Sequence, residues 1–325
     1  MKSDPRLAWL VRAIGVGLFV ILIARSDPGA IAGVLRRANP ATIGLAGLLI
    51  FPMIAFKTAR WRDLQRAVRL PMAPFGESFR AYLEGLFAGL VTPGRVGEFV
   101  RVRSLTRQGA AFGPAMATVL WDRVFDVLGL FLLGSLALVP LAGTFRGLYV
   151  GSLAALGGGL LVTAFLVWGP TGGWRRFMTP RTPTQGHSGQ GLAGKLRESL
   201  AGLLEASRSF RGGLLVRVGL LTLLGWVVYY AQAWLLARAI HLDLRLDALI
   251  VAVTAAAVAA FLPISISGIG TRDAALVVLF TRLGETREEA LAYSALVLAM
   301  LLLNALVGLV ASRWPVGEMA RRVSD

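Results

Sequence analysis

Charged residues set inside apolar stretches are the first place to look for chemistry in this sequence. In WDRVFD, Asp122, Arg123 and Asp126 interrupt an apolar run. On a helix, Asp122 and Asp126 share a face, and Arg123 lies three residues from Asp126. Two further stretches combine charge with helix-breaking residues. LVTPGRVGEFVRVRSL, residues 90–105, holds Pro93, Gly94, Arg95, Gly97 and Glu98; FLPISISGIGTRDAAL, residues 261–276, holds Pro263, Gly268, Gly270, Arg272 and Asp273. The planar fork of arginine suits phosphate oxygens through paired, charge-assisted hydrogen bonds. Arg95, Arg123 and Arg272 are therefore the candidates to meet an anionic head group. Helix N-termini at Gly94–Arg95 and Gly270–Thr271 would add positive dipole ends. Glu98, Asp122, Asp126 and Asp273 would hold those arginines in place, or accept protons. One arginine between two carboxylates leaves negative charge over, so Arg95 or Arg272 is expected to complete the Asp122–Asp126 site. The same residues also fit a purely structural ion-pair network.

The elements that must position these side chains are membrane helices. The sequence is 56% hydrophobic and 16% charged, with a mean hydropathy of +0.67. Soluble domains have about 45–50% apolar and about 25% charged residues, so there is too little polar surface here to coat a soluble fold. A helical span needs about 20 apolar residues. Six stretches meet this: 7–24, 42–56 continued into the basic run after it, 114–139, 148–168, 214–240 and 290–311. The runs 79–91 and 274–283 are too short to cross, and 246–262 stops at Pro263. Pro93, Gly94 and Gly97 in one half, and Pro263, Gly268 and Gly270 in the other, break helices there, because proline lacks an N–H and glycine takes conformations other residues avoid. Freed backbone at membrane depth is tolerated only where it faces protein or a wet cavity. Two such breaks in corresponding places point to a transport site. The expectation is an all-α polytopic membrane protein with six full spans and two re-entrant helical hairpins. It would form one transmembrane domain: a first half 1–168, a cytoplasmic loop 169–213 and a second half 214–325, arranged as an inverted repeat.

The formal net charge of +16 is expected to reflect cytoplasmic loops rather than a nucleic-acid partner, since basic residues crowd the inner side of membrane proteins. With both termini in the cytoplasm, most Lys and Arg residues fall inside and Glu285, Glu288 and Glu289 fall outside. The expected location is the cell membrane. The run 7–24 lacks a small-residue cleavage site and is expected to stay as a helix. Lys57, Arg60 and Trp61 are expected at the membrane–water interface, where arginine and tryptophan collect. Residues 95–107 are expected to form a basic surface helix, and Gly85 and Gly89 to allow close helix packing. There are no cysteines, and two histidines in expected loops are too few for a cage, so no metal site and no cofactor are expected. No GxSxG elbow or Walker loop is present, and the loop 169–213 is too poor in apolar residues for a catalytic domain; no enzyme is expected.

Four motifs, taken in order, bear a likeness to a known family: ARWRDL (59–64), LVTPGRVGEFVRV (90–102), DRVFDVLGL (122–130) and LPISISGIGTRDAAL (262–276). They resemble the lysylphosphatidylglycerol synthase transmembrane family, also called the flippase-like domain family. The resemblance covers nearly the whole chain, with PGRVGE and SGIGTRDAAL its more specific parts. It implies a membrane domain that moves lipids between leaflets, and members are linked to glycolipid, polyprenyl-linked sugar or hopanoid pathways. In full-length family enzymes a soluble domain follows that aminoacylates phosphatidylglycerol. This sequence stops soon after its last span, so that synthase domain is expected to be absent. Asp122 and Asp273 stand where the family often has glutamate, keeping the charge with less reach. The function expected is translocation of an anionic or phosphate-bearing lipid, or a lipid-linked glycan. The alternative is a membrane scaffold that regulates a separate lipid-modifying enzyme or glycosyltransferase. Membrane lipids are then the main partners, and a homo-oligomer is compatible with the sequence.

Overall fold

The computed structural model describes residues 21, 22, 24, 26–90, 92, 97–168, 209, 212–261 and 268–313. α1 (Pro28–Arg36) and α2 (Pro40–Leu48) begin alike, with a proline in the first turn and a side-chain cap before it. Asp27 accepts from the Gly29 N–H, and Asn39 accepts from the N–H groups of Ala41 and Thr42. These caps satisfy donors that a helix start leaves free, and proline costs nothing there. α3 (Ile50–Ala67) follows α2 across a single residue, Leu49. Pro52 explains that joint, because its ring lacks an N–H and collides with the carbonyl four residues back, that of Leu48.

α4 (Phe75–Leu90) comes next, then a 3-10 turn at 97–99 and α5 (Val100–Arg107). α6 (Phe112–Leu138) and α7 (Arg146–Trp168) complete the first half. The second half contains α8 (Gly213–Ala239), α9 (Leu246–Phe261), α10 (Thr271–Arg282) and α11 (Arg287–Arg313). Among the described residues the regular structure is helical throughout. Five stretches are long and apolar enough to cross a membrane: Pro40–Ala67, Phe112–Leu141, Arg146–Val167, Gly213–Ala239 and Arg287–Ala311. The protein is thus an all-α polytopic membrane protein. The sixth expected span, 7–24, lies outside the described residues except at its end, as does most of the loop 169–213. α4 and α9 have 16 residues each, about 24 Å of helix against a hydrocarbon core of about 30 Å.

The two halves are interleaved, not side by side. α3 packs along α8 and α4 along α11, while α6 touches α3, α5, α8 and α9. Glycines set the closest approaches. A Cβ on Gly129 would sit 2.6 Å from the Trp226 ring, and one on Gly308 would sit 2.7 Å from the Leu83 carbonyl oxygen. α7 is the exception, packing on α6 with none of its apolar window buried. Leu153, Leu161 and Phe165 on α7 face outward.

One element differs from expectation. The stretch 97–107 is not a surface helix: Arg101, Val102 and Leu105 are buried, with α5 packed against α4 and α6. Only its other side, with Arg103 and Arg107, is exposed. The spacing of the buried residues is that of a half-buried amphipathic helix, whose basic residues occupy both faces.

Candidate functional site

The centre of the first half is a buried charge cluster built from four elements. α6 supplies Asp122, Arg123 and Asp126; α3 supplies Lys57 and Arg60; α5 supplies Arg101; and the turn at 97–99 supplies Glu98. Asp122 is wholly buried. Its Oδ1 accepts from Arg60 Nε at 2.9 Å and Arg60 Nη2 at 2.7 Å. Its Oδ2 accepts from Arg101 Nη1 at 2.8 Å and the Tyr82 hydroxyl at 3.0 Å. A carboxylate has about four lone-pair sites, so Asp122 is saturated. Asp126 Oδ1 accepts from Lys57 Nζ at 2.9 Å and lies 2.9 Å from Arg60 Nη2. Arg123 donates to Glu98 Oε2 and lies 3.7 Å from Asp126. Arg60 also donates to the Thr222 hydroxyl on α8 at 3.1 Å, tying the cluster to the second half.

These contacts reassign several residues. Lys57, Arg60 and Trp61 are not an interfacial anchor: Arg60 is 0% and Trp61 1% exposed. α3 packs against α4, α6 and α8, so Lys57 and Arg60 point into protein while Arg66 stays exposed, and the Trp61 indole N–H donates to Thr118. The partners that complete Asp122 and Asp126 are Arg60, Arg101 and Lys57, and not Arg272. Arg95, Pro93, Gly94 and Pro263 lie outside the described residues. Burying an ion costs several kcal/mol, about what dense pairing of this kind offsets.

In the second half, Arg272 and Asp273 pair with each other. Arg272 Nε and Nη2 donate to Asp273 Oδ1 at 3.0 and 2.7 Å, and the Ser294 hydroxyl donates to the same oxygen. Asp273 Oδ2 accepts from the Gly270 N–H at 2.8 Å, capping α10. The helix N-terminus expected to face an external anion is therefore occupied by the chain's own carboxylate. Gly268 and Gly270 have φ of 80° and 88°, a left-handed geometry that suits glycine. Gly97 serves differently: a Cβ there would lie 2.1 Å from the Ala88 carbonyl oxygen, so its role is close approach of the turn to α4. Gly85 and Gly89 open the same seam, where a Cβ would meet Arg101 and Glu98 at 2.9 and 2.5 Å.

Both charged groups reach one cavity of about 160 Å3. Its wall includes Lys57, Gly89 and Glu98 from the first half, and Gln232, Arg272 and Asn304 from the second. The rest is largely apolar, from residues such as Leu86, Val253, Val297 and Leu301. Gln232 spans the halves, since its amide donates to the Ala46 carbonyl at 2.7 Å, in the last turn of α2. Three residues of this lining each carry a buried polar atom with no hydrogen-bond partner: Glu98 Oε1, Arg272 Nη1 and Asn304 Oδ1. No grouping of His, Cys, Asp and Glu suited to a metal occurs among the described residues.

The profile of the family described as "Lysylphosphatidylglycerol synthase TM region" matches residues 9–308. The chain belongs to this family. A "UPF0104 membrane protein" of Methanothermobacter thermautotrophicus (strain Delta H) is 28% identical to the chain over 142 residues. That match covers 43% of the chain and 41% of the relative, so the chain spans about two-fifths of the relative's length. In this member of the lysylphosphatidylglycerol synthase transmembrane-region family, Tyr82, Arg101, Ser294 and Asn304 join the site without having been singled out from sequence. Arg101 was masked by its basic neighbours, although Val102 and Leu105 mark the buried side of α5. Asn304 is a lone amide in the apolar span of α11, a signal available from the sequence.

Proposed function

We propose that the protein translocates an anionic or phosphate-bearing lipid, or a lipid-linked glycan, between the leaflets of a cell membrane. The observation that carries this is the cavity between the interleaved halves, which puts Lys57 and Arg272 on one largely apolar wall. A lipid needs such a combination: cations for its phosphate and hydrocarbon-like surface for its chains. The short helices α4 and α9 dip into the bilayer as re-entrant hairpins and return with α5 and α10. They enter from opposite faces as an inverted repeat, the arrangement used for alternating access. The termini lie in the cytoplasm, which places the basic loops on the inner side. The protein acts as a carrier and not as an enzyme, and its partners are the lipids themselves.

The test is lipid movement in proteoliposomes, read by quenching a fluorescent phospholipid from outside. Replacing Arg272→Met together with Asp273→Asn removes the cation without stranding a buried carboxylate. Movement should slow roughly tenfold or more, because a hydrogen bond to a charged group is worth about 1.5–3 kcal/mol. Unchanged movement in a folded double variant rules out a head-group role for Arg272.

A further inference from the structure

We propose that Lys57 is a proton carrier, charged while an anionic head group occupies the cavity between the halves and neutral once it has left. This rests on the carrier function proposed above and gives it a driving force, the pH gradient across the membrane. Among the described residues, the buried cluster sets four cations, Lys57, Arg60, Arg101 and Arg123, against three carboxylates, Glu98, Asp122 and Asp126. Arg272 and Asp273 pair separately. With every group ionised, one positive charge is left over in the interior, where an unbalanced charge is strongly disfavoured. No arginine can shed it, because a guanidinium keeps its proton in proteins. Protonating a carboxylate would add to it. Ionising Tyr82 would set a phenolate against the Asp122 carboxylate, to which its hydroxyl donates at 3.0 Å. His241 lies beyond the end of α8, against the Arg37 carbonyl.

Lys57 is the group whose proton loss restores balance. Without it three guanidiniums face three carboxylates, and each carboxylate keeps one. Asp122 has Arg60 and Arg101, Asp126 has Arg60 and Arg123, and Glu98 has Arg123. Of the four cations Lys57 is also the one on the cavity wall, its side chain 16% exposed. Its Nζ lies 2.9 Å from Asp126 Oδ1 and 5.3 Å from the centre of the Trp226 ring. Carboxylate and ring face hold an ammonium, and a neutral amine keeps N–H groups to donate to Asp126. Elsewhere on the wall, Glu98 and Arg272 are held by Arg123 and Asp273, and Tyr229 and Tyr293 are phenols, neutral near pH 7. An entering monoanion brings the charge that an ammonium answers, so head group and proton enter together. When the head group leaves, the proton passes from Nζ to water that follows it in. The cavity of about 160 Å3 has room for that water, at about 10–15 Å3 a molecule on a comparable measure. Loaded and empty, the site is balanced, so neither crossing moves net charge.

The test uses the full-length protein in phosphatidylcholine vesicles with fluorescent phosphatidylglycerol as probe, a monoanion whose charge does not change near neutral pH. The final distribution of probe between leaflets is read by quenching from outside. A gradient of about one pH unit should enrich the probe roughly tenfold in the leaflet facing the alkaline side, the ratio that one proton per monoanion sets. A potassium diffusion potential at equal pH should leave the distribution unchanged. Lys57→Arg keeps a cation that cannot release its proton, and Lys57→Met has none to release; neither should enrich the probe under the gradient. Cooperative melting confirms that each variant is folded. Wild-type protein that moves the probe without following the pH gradient overturns the proton coupling and leaves the carrier function standing. Full enrichment by folded Lys57→Arg overturns the assignment to Lys57, and a response to the potential overturns the charge balance. No movement of the probe by folded wild-type protein overturns both the coupling and the carrier function beneath it.

Discussion

Asp122 and Lys57 sit in one cluster with different burdens. Asp122 accepts four hydrogen bonds and holds Arg60 and Arg101 in the interior. Asp122→Ala leaves two buried guanidiniums short of a counter-charge, and should lower stability by about 3–5 kcal/mol, measured by unfolding in mixed micelles. Lys57 is one of several cations around Asp126, which keeps Arg60 and Arg123 nearby. Lys57→Met should therefore change stability far less, while slowing lipid movement in proteoliposomes. An equal stability loss in both variants would contradict this division of labour. The acidic members of the site are legible in the sequence, because a carboxylate in an apolar run needs a buried partner or a cavity. Lys57 and Arg60 are not, because a basic run beside Trp61 has the composition of an interfacial anchor. Only the packing of α4, α6 and α8 around Lys57 and Arg60 separates the two cases, and that packing brings in helices far away in sequence. The lone amide Asn304 was visible and carried no pairing to suggest a role.

At the scale of elements, the seam between α4 and the turn at 97–99 depends on small residues. A Cβ on Gly97 meets backbone at 2.1 Å; one on Gly89 meets the Glu98 side chain at 2.5 Å; one on Gly76 meets nothing within 4 Å. Side chains can shift and backbone cannot without moving the whole turn, so the cost should fall in that order. Gly97→Ala is expected to destabilise by about 1–3 kcal/mol, the range for overpacking, and to speed amide hydrogen exchange across 97–107. Gly76→Ala is the neutral control. Helix positions were readable from the sequence because apolar runs end at prolines, glycines and charges. α6 begins with Pro114 in its first turn, and α3 continues through the basic stretch to Ala67. Pro52 stops α2 at Leu48 without taking the chain out of the span. α5 misled because its charges lie on both faces, so composition hid an apolar stripe.

For the molecule as a whole, interleaving means that neither half encloses the cavity alone. The sequence suggests two halves from paired breaks, but the pairing of α3 with α8 and α4 with α11 depends on surface shape, which no local pattern encodes. The orientation is directly testable, since the chain has no native cysteine. A single cysteine at Glu288 should react with a membrane-impermeant maleimide added outside cells. One at Arg107 should react only after permeabilisation. The reverse pattern would invert the proposed topology.

Gln232 gives that arrangement a mechanical edge. Its amide grips the Ala46 carbonyl just before the Leu49 joint, while its own residue forms part of the cavity wall. Inside hydrocarbon no solvent stands ready to take over that carbonyl if the amide lets go. If the carrier proposed above rocks one half against the other, the joint and the wall must move as one piece, and the hinge then feels whatever fills the chamber.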